Sequence, residues 1–375
     1  METTTYRADE FTKAHRQQRR RAIILFIVTM LLTLAAAAAV KAGDRSEDFQ
    51  RTASVDTDEK VAVKTHAGYI NVESWGRDEV SVSGTITVFD PGDYDWDEVF
   101  DDIEIIVEGS GNTLNIGVKH PWKNRGANFK FFFFNFGHDI PKFTVDFDIQ
   151  MPQGNPLRAQ THSGLVNVRN IGNVATLRTH SGRIEAHNIE GKLDADTHSG
   201  RIEASSIGDD AEVQTHSGRI SLSDVQGHTK AQSHSGNIKL RDLAGGLRAR
   251  THGGDIDVNT LQGDLTGNTH SGHLTVDNHH GSVEWSAHSG RTSIDFRDLN
   301  IEDAVSMTSH SGSITLAVQS DVQADLKIQS NSFQSDIPMH VTAKNKKGEV
   351  TGSINGGGAK VFMKSHNGRI TIAER

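Results

Sequence analysis

A phrase built on His-Ser-Gly returns at a fixed interval through the middle of this chain. Its histidines are His162, His180, His198, His216, His234, His252, His270 and His288, and each step is 18 residues. A further copy, Ser309-His310-Ser311-Gly312, follows after 22 residues. A repeat of this length means a stacked architecture, in which one unit cannot bury its apolar face alone and its neighbours must cover it.

Within a unit, Leu193, Ala195 and Thr197 alternate with Asp194, Asp196 and His198. After Gly200, Ile202 and Ala204 alternate with Arg201 and Glu203. Period-two alternation over short runs predicts strands. The same positions form apolar columns through the repeats. One runs Val166, Ile184, Ile202, Ile220, Ile238, Ile256, Leu274; another runs Ile171, Ile189, Ile207, Val225, Leu243, Leu261. The fold class is therefore all-β, a single-chain β-solenoid (β-helix) with 18-residue rungs about 4.8 Å apart. Each rung has two strands and two turns. Gly recurs at both turns, most simply for positive φ or close approach of the backbone.

Residues 161–312 are the regular repeats. Thr65-His66-Ala67-Gly68 is an early copy of the phrase, and Ser365-His366-Asn367-Gly368 is a last copy on which the chain finishes. Residues 61–160 then form an N-terminal solenoid and capping part, and 313–375 the C-terminal rungs and cap. Asp90-Pro91, with Trp96, Val99, Phe100 and Ile103 at helical spacing, predicts a short helix over 91–103 capped by Asp90. Asp93, Asp95, Asp97, Asp101 and Glu104 echo a calcium loop, but Glu98 stands where that loop needs Gly, so the acids read as a solvated helix face. Residues 129–143 are a Phe-rich insert. Such apolar mass closes the end of the solenoid, or else Phe131, Phe132, Phe133 and Phe134 touch a membrane or partner. Lys119, Lys123, Arg125, Lys130 and Lys142 nearby would suit an anionic surface.

Residues 1–21 are polar and end in Arg19-Arg20-Arg21, and residues 22–40 are uninterrupted apolar sequence. That length suits a single transmembrane helix. The preceding cations place residues 1–21 in the cytoplasm as a tail, and everything after a linker at 41–60 outside. The alternative is secretion after cleavage near Ala42. The chain has no Cys, so disulfides and thiol chemistry are excluded. The net charge of −9, with no basic run beyond the N-terminal tail, argues against a nucleic-acid partner.

The opening Thr65-His66-Ala67-Gly68-Tyr69-Ile70 with Trp75, the transition Phe147-Asp148-Ile149-Gln150-Met151-Pro152, the repeated Ser-Gly-x-Ile phrases and the terminal Ser365 to Ile370 resemble the bacterial "putative adhesin" family over residues 50–375. That resemblance implies an exported, right-handed solenoid, with no catalytic residue to carry over.

Stacking places the eight regular histidines in one column along an edge. Metal binding by His162 to His288 needs a third ligand, and no ligand column accompanies them. The positions two before the histidines are Gln160, Arg178, Asp196, Gln214, Gln232, Arg250, Asn268 and Ser286, and Arg183, Arg201, Arg219 and Arg291 follow the glycines. A polar ladder of stacked rings fits better. Polysaccharide cleavage would need clustered carboxylates, which the outward columns lack. The sequence therefore points to a membrane-anchored adhesion or scaffold protein of the bacterial cell envelope, non-catalytic and without a cofactor, whose partner is an envelope component. The alternative is a metal-binding or envelope-stress accessory protein using the histidines.

Overall fold

The computed structural model describes residues 43–92, 94–122, 141–345 and 348–375. The apolar run 22–40, the residues 1–21 before it and Phe131 to Phe134 lie outside the described residues. Among the described residues, no helix is long and apolar enough to cross a membrane.

The described chain is a β-solenoid of two parallel-rung sheets, one of 15 strands and one of 16. In a regular rung Leu193–Thr197 lies in one sheet and Ile202–Ile207 in the other. Neighbouring rungs are in register: Leu193 sits beside Ala175 and Ala211, and Ile202 beside Ile184 and Ile220. Each apolar residue thus lies over its copy one rung away, and the predicted columns are buried throughout. Burying one Ile or Leu is worth about 2 kcal/mol, realised only when the rungs on either side cover it.

The second corner of each rung is built differently from the expectation. Ala204 and Ile207 are both buried, with Ser205 and Ser206 turned outward between them. The chain bends there through residues of positive φ: Asn170, Asn188, Ser206, Asp224, Asp242, Thr260 and Asn278, all between 52° and 67°. Most of the corner glycines that sequence suggested for this role do not carry it. Gly191, Gly208 and Gly227 instead accommodate a close approach, since a Cβ on any of them would come within 2.6 Å of the rung below.

Both ends share one construction. Strands β1 (Arg45–Ser54), β2 (Lys60–Lys64), β3 (Ile70–Trp75) and β4 (Glu79–Asp90) precede helix α1 (Trp96–Asp102). Strands β5 (Glu104–Gly109), β6 (Thr113–Lys119) and β7 (Lys142–Pro152) follow it. Strands β2 and β3 flank Thr65 to Gly68 and pair directly with the first regular rung, Leu157–Thr161 and Val166–Ile171. The chain between them folds outward. Strand β7 lies on the far side of β3, with β4 and β1 antiparallel beyond it, and β6 and β5 extend past β2. At the other end, Ala359–Ser365 and Arg369–Glu374 pair with Ala304–Ser309 and Ile314–Val318. Ala324–Gln329 and Ser332–Ser335 lie beyond them. The last copy of the phrase is therefore slotted inside the stack and does not close it. The segment that precedes it in sequence covers the end.

Helix α1 is shorter than the predicted 91–103. Strand β4 keeps its pairing with β7 as far as Asp90, whose carboxylate holds Lys142 at 3.0 Å and accepts the Gly92 N–H at 3.0 Å. Asp90 thus makes a turn, and Asp95 takes the N-cap position without a side-chain hydrogen bond. Val99, Phe100 and Ile103 are buried as the spacing required. Asp97 pairs with Arg45 and Glu104 with Lys119, which ties these acids to neighbouring cations. Phe147 in β7 is buried with its edge against Phe49, and Phe143, the last residue of the Phe-rich insert, packs on Trp122 at the N-terminal end of the solenoid.

Candidate functional site: the histidine edge and its groove

The His corner is fixed by contacts between rungs. The buried Thr197 hydroxyl accepts the Gly200 N–H at 3.1 Å and donates to the Gly182 carbonyl at 3.3 Å. Thr215 repeats both bonds at 3.0 and 3.2 Å. The backbone N–H groups of His198 and Ser199 both donate to the His180 carbonyl, at 3.1 and 2.9 Å. A Cβ on Gly200 would stand 1.5 Å from the Gly182 carbonyl oxygen, so no larger residue fits. Where Ala287 replaces the hydroxyl residue, this bond to Gly290 is lost and Gly290 shifts to φ 107°.

These corners aim every ring the same way. The rings of His66, His162, His180, His198, His216 and His234 stack in succession, with centroids 4.7 to 4.9 Å apart and planes within 6°. The column continues through His252, His270, His288, His310 and His366 at 4.6 to 5.3 Å. All eight histidines singled out by sequence are brought together, and the copies at each end extend the column. Burial and the neighbouring His162 and His120 push His66 down to about 4, and burial with His180 lowers His162.

The stack has a consequence for metal chemistry. Imidazole lone pairs lie in the ring plane, so parallel rings present them side by side and not converging on one ion. Among the described residues, no group of three or more His, Asp or Glu is arranged to hold a metal. Arg183 and Arg201, which follow the glycines, are ion-paired to Glu185 and Glu203 at 3.0 Å.

Beside the column, from Gln214 to His310, runs an open groove of about 830 Å³. One wall is His216, His234, His252, His270, His288 and His310; the other is Gln214, Gln232, Arg250, Asn268 and Ser286. Thr215, Ser233, Thr251 and Thr269 form the floor. Sequence reasoning noted the second wall only as a column lacking metal ligands. Its signal was present in Gln214, Gln232, Asn268 and Ser286, uncharged residues two positions before the histidines, with Arg250 among them. Nearer the N-terminal end that column carries Arg178, held by Asp194 at 2.6 and 2.8 Å, and neither it nor Asp196 lines the groove.

Two overlapping matches to the Toastrack DUF4097 family model cover residues 40–244 and 95–295. The chain belongs to the Toastrack DUF4097 family. Solved structures similar to this Toastrack protein include a "putative cell adhesion protein" from Clostridium sporogenes, 10% identical, covering 88% of this chain and 100% of that one, with a TM-score of 0.19. A "putative adhesin" from Bacteroides fragilis is 14% identical and covers 88% of this chain and 97% of that one, with a TM-score of 0.31. A "putative lipid binding protein" from Parabacteroides distasonis is 13% identical and covers 87% of this chain and 96% of that one, with a TM-score of 0.34. No curated protein matches this chain.

One titratable feature of the core was not found from sequence. His279 occupies the apolar column that runs from Ile171 to Leu261, beside Leu261 on one side and Phe296 on the other. Its ring is fully buried, packs edge-on to Phe296 at 4.7 Å, and neither nitrogen has a hydrogen-bond partner of normal geometry. Burial pushes its pKa down to about 4, opposed in part by the surrounding Ser282, Leu261 and Gly281 backbone and by Asp303.

Proposed function

We propose that this Toastrack protein is an adhesion or scaffold protein of the bacterial envelope. The apolar run 22–40 anchors it in the cytoplasmic membrane, residues 1–21 lie inside, and the solenoid stands outside as a non-catalytic binding rod. The observation that carries this reading is the unbroken histidine edge with its open polar groove. It is one surface repeated rung after rung, lined by hydrogen-bonding groups and by no carboxylate. A surface of that kind suits an extended partner engaged at many equivalent points. The Phe-rich insert is a further candidate contact, although Lys119 and Lys142 beside it are already ion-paired to Glu104 and Asp90.

The test uses the full chain in lipid vesicles, mixed with detergent-stripped cell-wall fragments and spun at a speed that pellets walls but not vesicles. Co-pelleting that survives a chelator supports the proposal. Vesicles that stay in the supernatant overturn it, and chelator-sensitive pelleting replaces it with the metal-dependent alternative.

A further inference from the structure

We infer that the groove between the histidine column and the Gln214–Ser286 column binds a linear polysaccharide of β-linked pyranose units lying along the rod axis. This rests on the adhesion reading above and gives its ligand a chemical class.

The walls supply the chemistry. The Gln214, Gln232 and Asn268 amides and the imidazole edges each offer donors and acceptors, which is what rows of sugar hydroxyls require. Among the described residues, none of these three amides makes a side-chain hydrogen bond, and Gln214 and Asn268 are exposed. Arg250 is the one formally charged residue of the lining, and it has no ion-pair partner among the described residues. The site therefore accepts a neutral chain and tolerates an occasional carboxylate.

The spacing supplies the repeat. Along the groove the rings stand 4.6 to 5.0 Å apart. An extended β-1,4-linked pyranose chain advances by slightly more than that distance per sugar and turns over at each unit, so about one sugar falls at each rung and successive sugars present alternate edges to the two walls. An extended peptide advances about 3.3 Å per residue, so it returns to register only at every third residue and adjacent rungs cannot hold equivalent positions. A nucleic acid would need a cation at nearly every rung to answer its phosphates, and the groove has Arg250 alone.

The stack also sets the mode of recognition. Each imidazole face is covered by the ring of the next rung, so sugars cannot stack on them and meet ring edges only. Binding at one rung is weak, and affinity comes from chain length.

The experiment uses the full chain in vesicles and three end-labelled hexasaccharides: β-1,4-linked glucose, N-acetylglucosamine and mannuronate, each beside its disaccharide. Fluorescence anisotropy is expected to show at least one hexamer binding, with its disaccharide weaker by more than about tenfold. The double variant Gln232→Ala, Arg250→Ala weakens the bound hexamer by about tenfold. Asp196→Ala, outside the groove, leaves it unchanged, and unchanged thermal melting shows that the variants are folded. Preference for mannuronate that is lost with Arg250→Ala alone identifies an acidic polysaccharide; retained preference for a neutral hexamer identifies a neutral one. Equal binding by the double variant and the parent overturns the site. Failure of all three hexamers to bind a protein that still pellets with walls overturns the glycan assignment and leaves the adhesion reading standing. Loss of pelleting as well removes both.

Discussion

At the His198 corner the chain turns with Gly200 pressed against the carbonyl of the rung below, whereas at the opposite corner it turns through Ser206 in the left-handed region. The first device is a contact between rungs and the second is a local backbone conformation. A contact made by every rung on its neighbour needs the same small set of residues each time, so Thr or Ser, then Gly three residues later, returns almost unchanged. A local conformation needs only a residue that tolerates positive φ, and Asn, Ser, Asp and Thr exchange freely there. The phrase is repeated because it is where rungs touch. The histidine inside it holds the corner through its backbone, while its ring stacks on the next ring at the surface, so the ring is a property of the surface and not a requirement of the corner.

The largest test of this contrast is Gly200→Ala. The added methyl meets the Gly182 carbonyl oxygen with no side chain to move aside, so rungs must separate. The expected loss is about 3 kcal/mol, read as a fall in the midpoint of chemical denaturation. A loss below about 1 kcal/mol would show that rungs can slide apart and that the corner is no true contact.

His279 follows the other corner directly, since Asn278 at φ 54° turns it into the apolar column. Its folded pKa near 4 lies below the ordinary 6.5, so the buried ring stays neutral while the unfolded ring takes up a proton. Stability from this residue is full above pH 6.5 and is lost as pH falls towards 4. Between pH 7 and pH 5 the loss is about 2 kcal/mol. His279→Leu restores the residue type of the column and should flatten that part of the pH–stability curve. An unchanged slope would assign the acid sensitivity elsewhere, first to His66 and His162 on the ladder.

The solenoid, its columns and the stacked histidines were legible in the sequence because an 18-residue period puts like residues over like. The column of the eight regular histidines was legible in this way, whereas its continuation through His310 to His366 and back to His66 depends on how the end rungs pair. Positive φ at the second corner was expected of Gly, but Asn, Asp, Ser and Thr standing one place before the apolar column carry it, and the glycines there serve the close approach of rungs. His279 was hidden among 20 histidines, most of them in phase with the phrase, while it alone was in phase with Ile189 and Ile207. The order of rungs at the two ends was not legible, because an inserted segment breaks the period and only pairing shows which side of the stack it occupies. The groove needed both columns in three dimensions, since its walls lie two residues apart in sequence but are joined across rungs.

The smallest effect belongs to the corner that is locally determined. Ser206 holds φ 56° without the side-chain tolerance that Asn or Asp has for this region. Asn already occupies the equivalent place in Asn170 and Asn188, where Asn188 donates to the Asn170 side chain at 2.9 Å. Ser206→Asn should extend that ladder by one rung and stabilise by a few tenths of a kcal/mol, about 0.5 at most. Ser206→Val places a branched side chain in the same region and should cost about 1 to 2 kcal/mol. If Asn and Val instead behave alike in denaturant titrations, the backbone at this corner is free to leave the left-handed region. Both corners would then depend on the rungs around them.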